Sequence, residues 1–169
     1  SNGGVFNANY AMPKLRSHLP WGDSTLVVGL LMAWVDTLAE TGVAIMSHGP
    51  GGAAIPPIKL LREHGVRVFG GSDNIRDAWS PFGNGDMLER AMMIGYRANF
   101  RHDEELALAF DMVTRTAADV LGTKDYGIAV GGLADFVVVE AGSFAEAVAT
   151  RARRKLVIKA GRIVARDGV

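Results

Sequence analysis

The feature that most constrains this chain is a short apolar run, Val66–Phe69, which leads through two glycines and a serine into Asp73. Alternating β-branched and aromatic residues bounded by glycine are typical of a short buried strand. In α/β barrels the catalytic side chains lie on loops at the C-terminal ends of the strands. The sequence therefore predicts an α/β fold with Asp73 at its functional edge. Aspartate is also common in turns and before helices, so a purely structural role for Asp73 stays open.

Two earlier segments repeat this pattern of a strand followed by a helix. The strand candidates are Lys14–His18 and Val43–Met46, and the residues before them, 1–12, are predicted to be a polar lead-in. A helix between successive strands favours parallel pairing with right-handed crossovers. The predicted helices are Ser24–Glu40, Ile58–His64, Asp86–Asn99 and Asp103–Leu121.

The pattern changes after Gly122, where antiparallel β signals replace the alternation of strands and helices. We therefore predict two parts, residues 1–122 and residues 123–169. The second part is predicted to contain a strand within Gly132–Glu140, a helix at Phe144–Arg151, and a hairpin of Lys155–Lys159 and Gly161–Ala165 that turns at Ala160-Gly161.

The composition of the chain excludes several classes of protein. The 169 residues are 49% hydrophobic and carry a formal net charge of zero, which favours a globular protein without a nucleic-acid partner. The absence of cysteine excludes disulfides and thiolate metal sites. No apolar stretch reaches the roughly 20 residues that span a membrane. We expect a cytoplasmic protein that does not bind membranes.

Two histidines follow predicted strands in related contexts. His18 and His48 both occur in the pattern Ser-His-x-Pro-x-Gly, one strand-helix unit apart. Together with Asp73 they would place three metal-binding or proton-transfer groups on one edge of the sheet. A structural role remains open for each histidine, and more so for His48. The chain contains no His-x-His pair.

Several ordered segments resemble one known family. They are Pro56-Pro57-Ile58-Lys59, Gly65 to Asn74, Asp77-Ala78-Trp79-Ser80-Pro81-Phe82-Gly83, Asp86-Met87-Leu88, Asp125-Tyr126-Gly127-Ile128, Gly132-Leu133-Ala134-Asp135 and Gly161-Arg162-Ile163-Val164. In this order they resemble the last third of a cytosine deaminase-like enzyme of the amidohydrolase superfamily. The resemblance implies the last three βα units of a (β/α)8 TIM-type barrel, followed by strands of a small β-sandwich.

The resemblance also implies roles for individual residues. Asp73 matches the acid that binds the metal, zinc or iron, and transfers the proton of the attacking water. His18 matches a histidine that orients the hydroxide and the leaving group, while His48 has no counterpart. Asn74 lies where the family often has a second carboxylate that touches the substrate, and Trp79 matches an aromatic residue near the substrate. Core packing is an equally good interpretation of Trp79.

The implied reaction is hydrolytic deamination of a pyrimidine, a triazine or a related N-heterocycle. The family's other metal ligands would precede Ser1, so we expect the isolated chain to be inactive and to bind metal weakly. We also expect either a homo-oligomer or a partner chain that supplies the missing barrel strands. The alternative is a catalytically inactive remnant, a half-barrel module that assembles as an oligomer without turnover.

Overall fold

Two three-stranded sheets, one parallel and one antiparallel, organise the computed structural model of this mixed α/β chain. The structure describes residues 5–7, 24–50 and 54–168. The strands are β1 (Val5–Asn7), β2 (Ala44–Ser47), β3 (Val68–Gly70), β4 (Phe136–Val139), β5 (Arg154–Lys159) and β6 (Arg162–Arg166). The helices are α1 (Ser24–Thr41), α2 (Ile58–Glu63), α3 (Met87–Arg97), α4 (Asp103–Met112), α5 (Arg115–Val120) and α6 (Phe144–Thr150).

The parallel sheet has the order β1-β2-β3, with β2 in the middle. Ile45 pairs with Val68 and Ser47 with Gly70, so β2 and β3 end at the same edge. The side chains of Ile45 and Val68 are completely buried. Strands of a parallel sheet covered by helices read as continuous apolar runs, which is why the sequence reveals β2 and β3 clearly.

The helices that follow β3 form a packed layer with α6. Ile94 of α3 and Met112 of α4 are fully buried in the same cluster as Val148 of α6. The rings of Phe110 and Phe144 stack with their centroids 4.7 Å apart. Burial of aliphatic and aromatic side chains is the main stabilising term here, and it joins α6 to the helices of the first part.

The antiparallel sheet has the order β4-β5-β6. The strands β5 and β6 form the predicted hairpin, with the turn at Ala160 and Gly161 in left-handed conformations. An ion pair joins this sheet to α3, because the Arg154 guanidinium donates to the Asp86 carboxylate. Asp86 also caps α3, since its Oδ1 accepts from the backbone N–H groups of Leu88 at 2.9 Å and Glu89 at 3.0 Å.

The structure corrects two expectations. The strand β1 lies inside the segment 1–12, which was wrongly predicted to be a lead-in throughout, because its pairing with β2 is non-local. The single predicted helix Asp103–Leu121 is two helices, because Thr114 has φ −123 and ψ −96 and its hydroxyl donates to the Phe110 carbonyl at 2.8 Å. The predicted strand Lys14–His18 lies outside the described residues.

Among the helices that the structure describes, none is long and apolar enough to cross a membrane.

Candidate functional site at the edge of the parallel sheet

Asp73 follows β3 by three residues, after a backbone hydrogen bond that extends the strand pairing. The Gly71 N–H donates to the Ser47 carbonyl at 3.1 Å, which keeps the two chains together beyond β3. Asp73 itself has a φ of 55°, in the left-handed region that aspartate tolerates better than most residues. Its side chain is 36% exposed, so the carboxylate lies at the surface of this edge.

His48 follows β2 directly, at the same edge of the sheet. The distance between its Nδ1 and the Oδ2 of Asp73 is 3.5 Å, and the His48 side chain is only 16% exposed. The parallel register of β2 and β3 brings the two residues together, since each follows the end of its strand. The structure therefore pairs an imidazole with the predicted catalytic acid.

The chain after β2 packs closely against α3. Gly49 has a φ of 82°, and a Cβ there would lie 3.1 Å from the Met93 Cβ and 3.2 Å from the Ile94 nitrogen. Only glycine combines this conformation with this closeness. The segment that carries His48 therefore lies close against α3, with no room for a side chain at residue 49.

Two arginines of α3 contact the carbonyls of this segment. The Arg90 Nη1 donates to the His48 carbonyl at 3.4 Å, and the Arg97 Nη1 donates to the Gly49 carbonyl. Burial lowers the pKa of His48, the Asp73 carboxylate raises it, and the charges of Arg90 and Arg97 lower it further. The net result is a pKa below the ordinary 6.5, which favours a neutral imidazole at neutral pH.

The loop after Asp73 is folded around Asp77. The Asn74 Nδ2 donates to the Asp77 Oδ2 at 2.6 Å, and the Asp77 Oδ1 accepts from the backbone N–H groups of Trp79 at 2.9 Å and Ser80 at 3.1 Å. The hydrogen bond from Asn74, followed by that from Trp79, lowers the pKa of the Asp77 carboxyl. This turn presents the Trp79 side chain with 86% of its surface exposed.

Three of the four predicted site residues, Asp73, Asn74 and Trp79, lie in this one loop, while His18 lies outside the described residues. The amide of Asn74 is bonded to Asp77. The position of His48 at the end of a strand predicts a metal-binding or proton-transfer group on this edge, although the family resemblance implies no role for it. Arg90 is not predicted from the sequence, because a single arginine within a helical pattern does not indicate a functional role.

Two of the described side chains at this edge are of types that bind metal ions in proteins. A catalytic zinc ion takes about three protein ligands and keeps one position open. Asp73 and His48 offer a carboxylate and an imidazole within 3.5 Å of each other, which are donors of the right chemistry. Within residues 5–7, 24–50 and 54–168, no three histidine, aspartate or glutamate side chains are grouped so as to hold a metal.

The sequence of this chain matches one family of hydrolases. The model of the amidohydrolase family matches residues 31–165, and the chain belongs to this family. The resemblance to the amidohydrolase superfamily, drawn from the sequence, is thereby confirmed.

Two curated relatives show which proteins of the family this chain is similar to. It is 46% identical over 116 residues to the N-isopropylammelide isopropyl amidohydrolase of Pseudomonas sp. (strain ADP), covering 68% of this chain and 28% of the relative. It is 27% identical over 151 residues to the pterin deaminase of Rhizobium rhizogenes, covering 80% of this chain and 34% of the relative.

Two solved structures are similar to the chain. The N-isopropylammelide isopropylaminohydrolase of Burkholderia multivorans matches with a TM-score of 0.77 and 44% identity, over 81% of this chain and 35% of that one. The 5-methylcytosine deaminase of Klebsiella pneumoniae matches with a TM-score of 0.75 and 24% identity, over 83% and 38%, and so supports the fold alone. The chain spans about a third of the length of the proteins it matches.

Proposed function

We propose that this chain forms part of a metal-dependent hydrolase that removes an amino or alkylamino group from an N-heterocycle. The observation that carries the proposal is the His48–Asp73 pair, 3.5 Å apart where two adjacent parallel strands end. Relatives named for an isopropylammelide and a pterin support a flat nitrogen heterocycle as the substrate. The triazine class is favoured, because the isopropylammelide enzymes share 44% and 46% identity with this chain.

Asp73 is the proposed ligand of the metal and the group that transfers protons. A divalent zinc or iron ion, when bound, supplies the Lewis acidity that makes water a nucleophile at neutral pH. Asp73 accepts a proton from the attacking water and delivers it to the departing amine. One carbon–oxygen bond forms, the exocyclic carbon–nitrogen bond breaks, and the amine leaves with the transferred proton.

The neighbouring residues have supporting roles in this proposal. The neutral imidazole of His48 holds the Asp73 carboxylate from the side of β2. Trp79 offers an exposed aromatic face on which a flat ring can pack. Asn74, in the same loop, contacts the substrate. His18 orients the water and the leaving group, as the family resemblance implies.

The proposed architecture is a partial barrel that other strands complete. Residues 1–122 would form the last three units of a (β/α)8 barrel, and residues 123–169 would form strands of a β-sandwich. Support comes from the order β1-β2-β3, which is an open sheet in the described part of the chain, whereas a barrel of this type has eight strands. We propose a homo-oligomer or a partner chain as the source of the missing strands.

The test is to measure amine release from N-isopropylammelide and ammonia release from cytosine, with zinc or iron present. We expect no turnover and less than one equivalent of metal for the chain alone. We expect turnover when a polypeptide corresponding to the preceding two thirds of a relative is added. Asp73→Asn should then abolish turnover without changing assembly.

Asp125→Asn is the matched control, because Asp125 is exposed and has the same φ of 55°. An active Asp73→Asn assembly would contradict the proposed role of the carboxylate. Absence of turnover in every assembly of the unsubstituted chain, with an oligomeric mass by light scattering, would instead support the inactive half-barrel module.

A further inference from the structure

Arg90 is a buried cation at the edge of the parallel sheet. It lies in the first turns of α3 and is only 5% exposed, whereas arginine is rarely buried without a charged partner. Among the described residues, no carboxylate lies within ion-pair distance of its guanidinium, and its Nε is buried without a hydrogen-bond partner. Burying an unpaired charge is costly.

The guanidinium lies between the two loops that carry the candidate site. On one side its Nη1 donates to the carbonyl of His48. On the other side, a Cβ built on Gly83 would lie 3.2 Å from its Nη2 and 2.5 Å from the Asn74 carbonyl oxygen. Gly83 has a φ of 103°, so the loop after β3 closes around the guanidinium only because residue 83 is glycine.

We propose that Arg90 is a positioning residue that sets the His48 imidazole against the Asp73 carboxylate. Its guanidinium donates to the carbonyl of His48 and lies beside Gly83 in the loop that follows Asp73, so the separation of the two side chains depends on it. The expected effect of Arg90 on turnover rests on the proposed function. The structural effect of Arg90, the placement of His48, can be measured on this chain alone.

The first experiment follows the histidine side chains by NMR. The chain has four histidines, and the imidazole signals of His48 are assigned by their loss in His48→Gln. We expect Arg90→Met to shift the His48 signals and to leave those of His64 unchanged. Arg90→Lys keeps the positive charge but loses the planar guanidinium group, and it should shift the His48 signals less. Arg101→Met, at an exposed arginine, is the control for charge removal and should shift neither.

The second experiment measures turnover in the completed assembly. Groups that orient a metal ligand commonly contribute about 10–100-fold to activity. We expect Arg90→Met to lower kcat by that factor with KM unchanged, Arg90→Lys to lower it less, and Arg101→Met to leave it unchanged. A purely structural residue would lower the amount of folded protein and leave kcat per folded molecule unchanged.

The outcomes separate the two proposals. If the unsubstituted assembly has no turnover, the proposed function fails, and the NMR experiment still decides the placement of His48. Unchanged His48 signals in folded Arg90→Met overturn the role of Arg90. If Arg90→Met does not fold, Arg90→Lys decides, and a folded Arg90→Lys protein with unshifted His48 signals overturns the inference.

Discussion

Gly70, the last residue of β3, is expected to tolerate no side chain. It is buried, and a Cβ there would lie 2.5 Å from the Val113 Cγ1 and 3.2 Å from the Ile94 Cδ1. Non-bonded carbon atoms do not approach to 2.5 Å, so the Val113 side chain, in the turn between α4 and α5, and the Ile94 side chain of α3 would have to move away from the strand. Overpacking of this kind costs about 1–3 kcal/mol. We expect Gly70→Ala to lower the free energy of unfolding by that amount, measured by urea denaturation.

The same substitution at Gly29 is the matched control. Gly29 is exposed in α1 with no atom within 4 Å of a built Cβ. Because alanine is the better helix former, Gly29→Ala should raise the free energy of unfolding by up to about 1 kcal/mol. Both substitutions add one Cβ atom, so a loss of stability at Gly70 beside a gain at Gly29 would show that the atom destabilises the fold where it meets neighbouring atoms.

A double-mutant cycle with Val113→Ala tests the cause of the Gly70 effect. Removing the Val113 Cγ1 also removes the atom that the new Cβ meets at 2.5 Å. The double variant should therefore be more stable than the sum of the single effects predicts, by about 0.5–3 kcal/mol, the range for residues in contact. Strict additivity, or a Gly70→Ala protein as stable as the unsubstituted chain, would refute the packing argument.

Three further predictions concern acid stability, helix capping and the exposed tryptophan. The Lys59 side chain, followed by two backbone N–H groups, lowers the pKa of Glu105 from 4.5 to about 2. Glu105 therefore stabilises the fold above pH 4.5 and loses this effect as the pH falls toward 2, so urea midpoints of the chain and of Glu105→Gln should converge over that range. Asp86→Ala removes both a helix cap and an ion pair and should cost about 2–4 kcal/mol, whereas Ser143→Ala removes only the cap of α6 and should cost about 0.5–2 kcal/mol, both measured by urea denaturation. Trp79→Ala should change the free energy of unfolding by about 0.5 kcal/mol or less, because the side chain is 86% exposed, but should lower turnover of the completed assembly.

The strands at the site could be predicted from the sequence because their signals are local. β2 and β3 are short apolar runs followed by glycine or histidine, and a helix between them implies parallel pairing. β1 could not be predicted, since three residues in a polar segment become a strand only through pairing with β2. The break at Thr114 was equally hidden, because helical periodicity continues across it.

The sequence predicts that the site residues follow the ends of strands. It does not predict which of their side chains contact each other. Asp73 was predicted from the residues before it, whereas the approach of His48 depends on which strands are neighbours and in which register. Arg90 lies 17 positions after Asp73 in the sequence. It reaches the edge of the sheet that carries Asp73 only because α3 packs against that sheet. Helical spacing predicts the buried face of α3 but not a cation on it.

The ion pair between Asp86 and Arg154 restricts how this chain can recombine with its relatives. Asp86 caps the start of α3, and its carbonyl accepts from the Arg90 N–H at 3.1 Å. Its carboxylate accepts from Arg154 of β5. A chimera that joins the first part of this chain to the last strands of a homologue inherits residue 86 from one parent and residue 154 from the other. Such an exchange preserves the start of α3 only when both parents carry the same pair of residues. A sequence change at residue 154 in the antiparallel sheet therefore affects the helix that packs beside the candidate site.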